Sequence, residues 1–385
     1  MTTKVYDVII VGAGSVGCPV AFFLAQAGIT SLVIDQLASP GQGANKAAIG
    51  GIRATHSHVS KIRVGLQSLD IFSTWQECYG DDLEWRRGGY SFVAYRPREA
   101  EILKNLLKLQ QGYGLNIHWL DRDELLEVIP ALNPGGLIGG TFSPDDGSAS
   151  PLRSAHAFYS RAVERGAEFH FNERVTGMIT RGGKVVGVRT DRGGYATNTV
   201  INAAGPWAKS VARMARLDVP VVPDSHEGGI TEPVARFLEP MVVDIQPRPG
   251  SRNYYFYQHE PGPIVFCITP EPPIVGTDRR ETSEFLPMIA RRMVDVMPRL
   301  SNVRVRRTWR GLYPMTPDGF PIVGRVRELE GYINAVGMCG QGFMLGPGLA
   351  TYVVKIVSGD LSPEDQEVLE GLTLYRDFGG EEKLK

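Results

Sequence analysis

The chain has 385 residues, 43% of them apolar and 22% charged. That balance is ordinary for a soluble globular protein and excludes global disorder. The length suits one large domain or two interleaved ones. Forty-one basic against 42 acidic residues leave a formal net charge of −1, so no polyelectrolyte partner is advertised and nucleic-acid binding is not expected as the main business.

The 45 glycines are about 12% of the chain against a usual level of about 7%. They follow no triplet period, which leaves tight turns and close backbone approach to something bulky. The cysteines, Cys18, Cys78, Cys267 and Cys339, form no CxxC pair and no zinc-finger spacing. A reduced, cytoplasmic protein is the simplest expectation, although the four could still pair in space.

In chain order, Asp7 to Val11 is a short apolar run suited to a strand buried on both faces of a parallel sheet. The turn Gly12-Ala13-Gly14-Ser15-Val16-Gly17 follows, then a helix to about Gln26 closed by Gly28. Thr30 to Ile34 is the second strand and ends at Asp35, 18 positions after Gly17. The run from Val8 to Ile29 carries no charge, yet its glycines and Pro19 fit strand, turn and helix better than a membrane span or signal peptide. In this βαβ setting Gly12 permits the turn, Gly14 lets backbone approach a pyrophosphate, and Gly17 lets the helix pack on the strand. The helix N-terminus offers free N–H groups to the phosphates. A carboxylate at Asp35 suits ribose hydroxyls and disfavours the 2′-phosphate of NADP.

Arg98 to Gln111 reads as a surface helix with Ile102, Leu106, Leu107 and Leu109 on its apolar face. From Val175 to Gly205, three apolar stretches separated by glycine turns predict a three-strand meander. Residues 252–269 predict a hairpin about Glu260-Pro261-Gly262, and about Glu284 to Met297 another helix. The glycine run Gly337 to Gly342 precedes a helix expected to begin near Pro347. No internal repeat is evident, and the segment after Gly379 reads as a frayed end.

Several pieces lie in one family order: VIIVGAGSVG at 8–17, GIR at 51–53, VINAAGPWA at 200–208, EGGITEP at 227–233, WRGLYPMTPDGFPIVG at 309–324 and GMCGQGFMLGP at 337–347. On these the chain resembles the D-amino-acid oxidase (DAO) family of flavoproteins, in its sarcosine oxidase, glycine oxidase and amino-acid dehydrogenase β-subunit branch. The resemblance implies an α/β fold. A Rossmann-type FAD-binding domain (1–80, 145–222 and 310–375) interleaves with a substrate domain built on an antiparallel sheet (81–144 and 223–309).

It implies that Gly12, Gly14, Ser15, Val16, Gly17, Asp35 and Gln36 hold the ADP half of FAD, with Val175 meeting the adenine through its backbone. The strand ending Ala203-Ala204-Gly205 runs beside the cofactor, with Trp207 near it. The segment from Gly43, Ala44 and Asn45 through Gly50 and Gly51 to Arg53 passes the flavin ring, with Gly311 beside it. The stretch Pro317–Gly324 and the loop Gly340, Gln341, Gly342, Phe343, Met344 close over ribityl and pyrimidine. Main-chain N–H groups in that loop can stabilise charge that develops on reduced flavin.

Arg53 is the residue the resemblance assigns to a substrate carboxylate, a task for which a planar, permanently charged fork is apt. Tyr255, Tyr257 and His259 alternate along one strand and so share a face; Tyr255 and Tyr257 are placed in the pocket with Arg53. The other reading of these aromatics is plain core. His56, His58 and His226 are pocket titrators or ordinary bonded histidines, and no spacing makes a metal site. Trp207 and Trp309 read as packing residues.

Glycine oxidases carry an arginine where Tyr313 stands. Monomeric sarcosine oxidase carries a lysine at Met344 and a flavin-linked cysteine at Gly311, so a covalent flavin at that point is excluded. The expected activity is FAD-dependent oxidation of a small or N-substituted amino acid, sarcosine-, glycine- or proline-like, by hydride transfer to flavin N5, giving an imine that hydrolyses. The alternatives are a flavin-carrying subunit of a hetero-oligomeric dehydrogenase with partner subunits, and an NAD-dependent dehydrogenase. Neither nucleic acid nor an integral membrane segment is expected.

Overall fold

Strand Val8–Val11, four apolar residues all buried, lies inside a six-stranded sheet. The order is 322–325, 332–336, 200–202, 8–11, 31–34 and 168–170; all neighbours are parallel except the edge strand 322–325. Both faces are covered, as continuous apolar strands demand. Helices Gly17–Gln26, Val59–Tyr79, Pro151–Glu164 and Gly342–Ser358 pack on one side, and a three-stranded sheet of 175–181, 184–190 and 194–196 adjoins the other. The computed structural model describes residues 4–384.

The uncharged run from Val8 therefore resolves into strand, glycine turn and helix. Among the described residues no helix is long and apolar enough to cross a membrane. No disulfide links the cysteines, of which Cys18, Cys267 and Cys339 are buried.

The second sheet has eight strands in the order 305–315, 222–233, 263–270, 251–258, 241–244, 90–94, 139–143 and 118–121. It is antiparallel throughout apart from the 241–244/90–94 pair. Period-2 alternation divides its faces. Tyr254 and Phe256 face helix Phe285–Val296 in one apolar cluster, while Tyr255 and Tyr257 join Tyr90, Phe92, Met241 and Val243 on the other. A two-residue pair, 51–52 with 147–148, connects the layers and delivers Arg53.

Three local expectations need correction. The meander's third segment splits: Gly194–Ala196 pairs with 184–190, whereas Val200–Asn202 enters the large parallel sheet. Thr197 makes the break, its hydroxyl accepting from Thr199 N and donating toward Asp7 O, each at 3.1 Å. The last long helix begins at Gly342, so Pro347 lies inside it. The backbone there bonds outside the helix, with Gly348 N donating to Ser68 Oγ at 2.9 Å. The segment after Gly379 is also no frayed end, since Glu382 and Leu384 are 2% and 1% exposed.

Candidate active site

The glycine turn is held by contacts that tolerate no side chain. A Cβ at Gly12 (φ +111°) would sit 2.5 Å from Ala203 O, and one at Gly17 would sit 1.8 Å from Gly12 O. Helix Gly342–Ser358 closes on the same turn, because a Cβ at Gly346 would meet Ser15 O at 2.0 Å. Gly14 and Gly205 are different: nothing stands within 4 Å of a Cβ there, and both line a cavity of about 550 Å³ between the two large sheets. Asp35 faces this cavity at the end of strand Ser31–Ile34. Its Oδ2 accepts from Ala13 N at 2.7 Å and its Oδ1 from Leu37 N at 2.8 Å. Burial raises its pKa despite those two bonds, and each oxygen keeps a lone pair for a ligand hydroxyl.

The cavity gathers most of the residues singled out from the sequence. Gly12, Gly14, Ser15, Val16, Asp35, Gln36 and Val175 line it with Ala203, Ala204, Gly205 and Trp207. Gly43, Ala44, Asn45, Gly50, Gly51 and Arg53 line it from the chain entering strand 51–52, and Gly311, Tyr255 and Gly340–Met344 complete it.

Three expectations fall outside. Gly17 lies beneath the turn as a packing glycine. Tyr257 turns away, its hydroxyl donating to Ile49 O at 2.7 Å, although it lies two residues from Tyr255 on the same face. Pro317–Gly324 does not reach the cavity; Arg376 holds Asp318 at 2.7 and 3.0 Å, and the neighbouring 312–315 segment lines the wall instead.

On the eight-stranded side the wall is mostly neutral. The Tyr255 and Tyr313 hydroxyls meet at 2.6 Å, and burial keeps both phenols protonated by holding their pKa values well above the ordinary range. Tyr313 is clamped between Gly340 and the ring of His226, stacked at 3.6 Å between centroids. His226 is 3% exposed. Burial lowers its pKa, and Asp224, whose Oδ2 lies 3.4 Å from Nε2, offsets this only in part. Of the other histidines, His56 sits behind Arg53 and His58 caps helix Val59–Tyr79 by accepting from Ser60 N.

Arg53, 4% exposed, lies over the rings of Tyr90 and Phe92, 5.7 and 5.2 Å from their centroids. Asp146 anchors the residues that follow it, accepting from Ala54 N at 3.0 Å and Thr55 Oγ1 at 2.8 Å.

Sequence reasoning missed Glu173 and Arg174, which line the cavity just before Val175, and Tyr90, Phe92 and Asn253 on the opposite wall. Asn253 was legible, standing two residues before Tyr255 on the same strand face. Glu173 was not, because its burial rests on Thr190, whose hydroxyl donates to it at 2.6 Å from across a neighbouring strand. Cys339, with φ +49°, brings its sulfur to Thr316 at 3.2 Å.

The cavity fits a large ligand that carries polar groups. Among the described residues Asn45 Oδ1, Gln341 Oε1 and His226 Nδ1 are buried without a hydrogen-bond partner, and all three residues line it. A side chain at Gly14 or Gly205 would project into the space that such a ligand needs.

Comparison with known proteins agrees. L-proline dehydrogenase from P. horikoshii superposes with a TM-score of 0.90 at 28% identity, over 97% of this chain and 98% of that one. Glycine oxidase from Geobacillus kaustophilus gives 0.87 at 25% identity, over 98% and 100%. Hydrogen cyanide synthase subunit HcnC of Pseudomonas aeruginosa is 27% identical, with 94% of each chain covered. Homo sapiens mitochondrial sarcosine dehydrogenase is also 27% identical, but the chain spans 38% of its length. Residues 7–356 match the family described as FAD dependent oxidoreductase, and the chain accordingly belongs to the DAO family of FAD-dependent oxidoreductases.

Proposed function

We propose that the protein oxidises a small amino acid or N-substituted amino acid bearing a single carboxylate. The observation carrying this reading is Arg53: among the described residues it is the one permanently charged side chain facing the cavity near Tyr90, Phe92, Tyr255 and Tyr313. A guanidinium buried to this degree, with Tyr90 and Phe92 excluding water from its faces, binds a carboxylate far better than an exposed one would. Among the described residues no carboxylate lines that wall beside it to hold an ammonium group, so the amine is bound neutral, with the Tyr255–Tyr313 hydroxyl pair and His226 as its polar neighbours. His226, kept neutral by burial, can offer a lone pair to the neutral amine but is a poor store for a proton.

The six-stranded layer supplies the cofactor residues and the eight-stranded sheet the substrate wall. FAD would be held by the Gly12–Gly17 turn, Asp35 and the Gly340–Met344 loop, and when bound it supplies the two-electron acceptor for the substrate C–H bond. The first N–H groups of helix Gly342–Ser358 have no intrahelical partners by geometry and are placed to face negative charge.

The test is anaerobic bleaching of the flavin absorbance by sarcosine, glycine, L- and D-proline and other amino acids, alongside the matching amines without a carboxylate. Arg53→Ala is expected to lower kcat/KM by about 2–4 kcal/mol, roughly 30- to 1,000-fold, mostly through KM. Equal bleaching by the decarboxylated amines, or unchanged kinetics in Arg53→Ala, overturns the reading.

A second reading is supported by the match to a protein named as a subunit over 94% of both chains: the protein works as the flavin-carrying member of a larger dehydrogenase. Turnover of the isolated chain with an artificial dye but not with O₂ supports it, and brisk turnover with O₂ removes it.

A further inference from the structure

The guanidinium of Arg53 backs onto residues near the far end of the chain. Nη2 donates to Leu384 O at 2.5 Å, and Nη1 donates to Thr55 O and lies 3.1 Å from His56 Nδ1. These contacts take one side of the fork, and the remaining N–H groups are those available to a ligand. Leu384 packs with Tyr90 and Phe92, the two rings over which Arg53 lies.

The segment carrying Leu384 is pinned by charge. The Glu382 carboxylate accepts from Ser57 N at 3.0 Å and Ser57 Oγ at 2.6 Å, and pairs with Lys61 at 3.0 Å. Glu382 N donates to Asp318 O and Lys383 N to Ser57 Oγ, each at 3.0 Å. Burial alone would raise the Glu382 carboxyl, but the Lys61 ammonium, with His56, Ser57 and Arg53, holds it well below the usual carboxylate range. Neither Glu382 nor Leu384 lines the cavity. They lie behind the arginine.

We propose that Glu382 and Leu384 are positioning residues for substrate. Docking of the 382–384 segment through Glu382 and Lys61 fixes the Leu384 carbonyl, and that carbonyl aims the free edge of Arg53 into the cavity. An arginine side chain has several rotatable bonds, so holding its far side in advance removes ordering that a ligand would otherwise have to impose. The inference rests on the reading of Arg53 as the carboxylate-binding group.

Calorimetric titration of the holoenzyme with acetate and with acetamide tests it, since the two differ in charge but hardly in shape. Glu382→Gln, Leu384→Ala and deletion of residues 382–385 are each expected to weaken acetate about tenfold while acetamide changes less than twofold. In steady-state kinetics KM rises and kcat holds within about twofold. Equal weakening of both ligands means the segment only supports the fold, and overturns the proposal. Unchanged acetate binding in all three variants, with acetate binding lost in Arg53→Ala, also overturns it while sparing the role of Arg53. Unchanged acetate binding in Arg53→Ala removes the underlying reading itself. Glu382→Gln and Leu384→Ala keep the test decisive if the deletion does not fold.

Discussion

A methyl group added at Gly340 would stand 2.1 Å from Tyr313 Cε2 and 2.3 Å from Cδ2. Carbon atoms rest at about 3.5–4.0 Å, so the ring would have to retreat by roughly 1.5 Å. It has little room to do so. Its opposite face is stacked on His226 at 3.6 Å, and its hydroxyl is bonded to Tyr255 at 2.6 Å. The backbone adds strain, because φ is +81° and alanine pays about 1–2 kcal/mol in the left-handed region. With about 1–3 kcal/mol for overpacking, Gly340→Ala is expected to destabilise by about 2–5 kcal/mol. At an unfolding entropy of about 2.1 cal/mol/K per residue, this lowers Tm by about 2–6 °C. Gly359→Ala is the control: its φ is +84° and nothing lies within 4 Å of a Cβ, so it carries the strain alone, about 1–2 °C by the same conversion. Scanning calorimetry of the two holoproteins measures the difference. Equal losses in both variants, or a loss below about 1 °C at Gly340, would show that Tyr313 is not clamped.

Two further outcomes follow from the site. Asp35→Ala removes a carboxylate placed to bond ligand hydroxyls, and a bond to a charged group is worth about 1.5–3 kcal/mol. Flavin binding, measured by fluorescence on reconstitution of the apoprotein, should weaken roughly 10- to 150-fold; an unchanged constant counts against its place at the ribose. Glu382 has a folded pKa held below its unfolded value near 4.3. Its stabilisation is therefore complete above about pH 5 and is lost as pH falls through the depressed folded value. The Tm gap between wild type and Glu382→Gln should be widest near neutrality and narrow below about pH 4, and a gap that widens on acidification refutes the pairing with Lys61.

Local signals made the first layer of this fold readable. The βαβ unit announced itself because strand, turn and helix occupy consecutive residues, and Gly17 and Asp35 each meet a need set within or beside that unit, whereas Gly12 also makes room for Ala203 from far along the chain. The hairpin 251–270 and the helix 97–112 were equally local. The misreadings share another cause, which is that the deciding partner is far away in sequence. Pro347 looked like a helix start because nothing nearby reveals that Ser15 and Ser68 pack against the turn around it. Glu382 and Leu384 looked frayed because their burial depends on cations more than 300 residues earlier. Tyr257 shares a strand face with Tyr255, and only the approach of Ile49 diverts its hydroxyl. Arg53 was found through motif resemblance, and no periodicity around it marks it as lining the cavity.

The parallel sheet wedges strand 200–202 between strands 8–11 and 332–336. Its middle therefore cannot be knitted together until the ribosome has made residue 336, and the Gly340–Met344 loop emerges later still. Nascent protein must carry the Gly12–Gly17 turn unfinished until strand 332–336 has been made, with apolar strand edges exposed to any chaperone at hand. Flavin capture must therefore wait until residue 344 has been made, and assembly in the cell should depend on how long that incomplete sheet can wait.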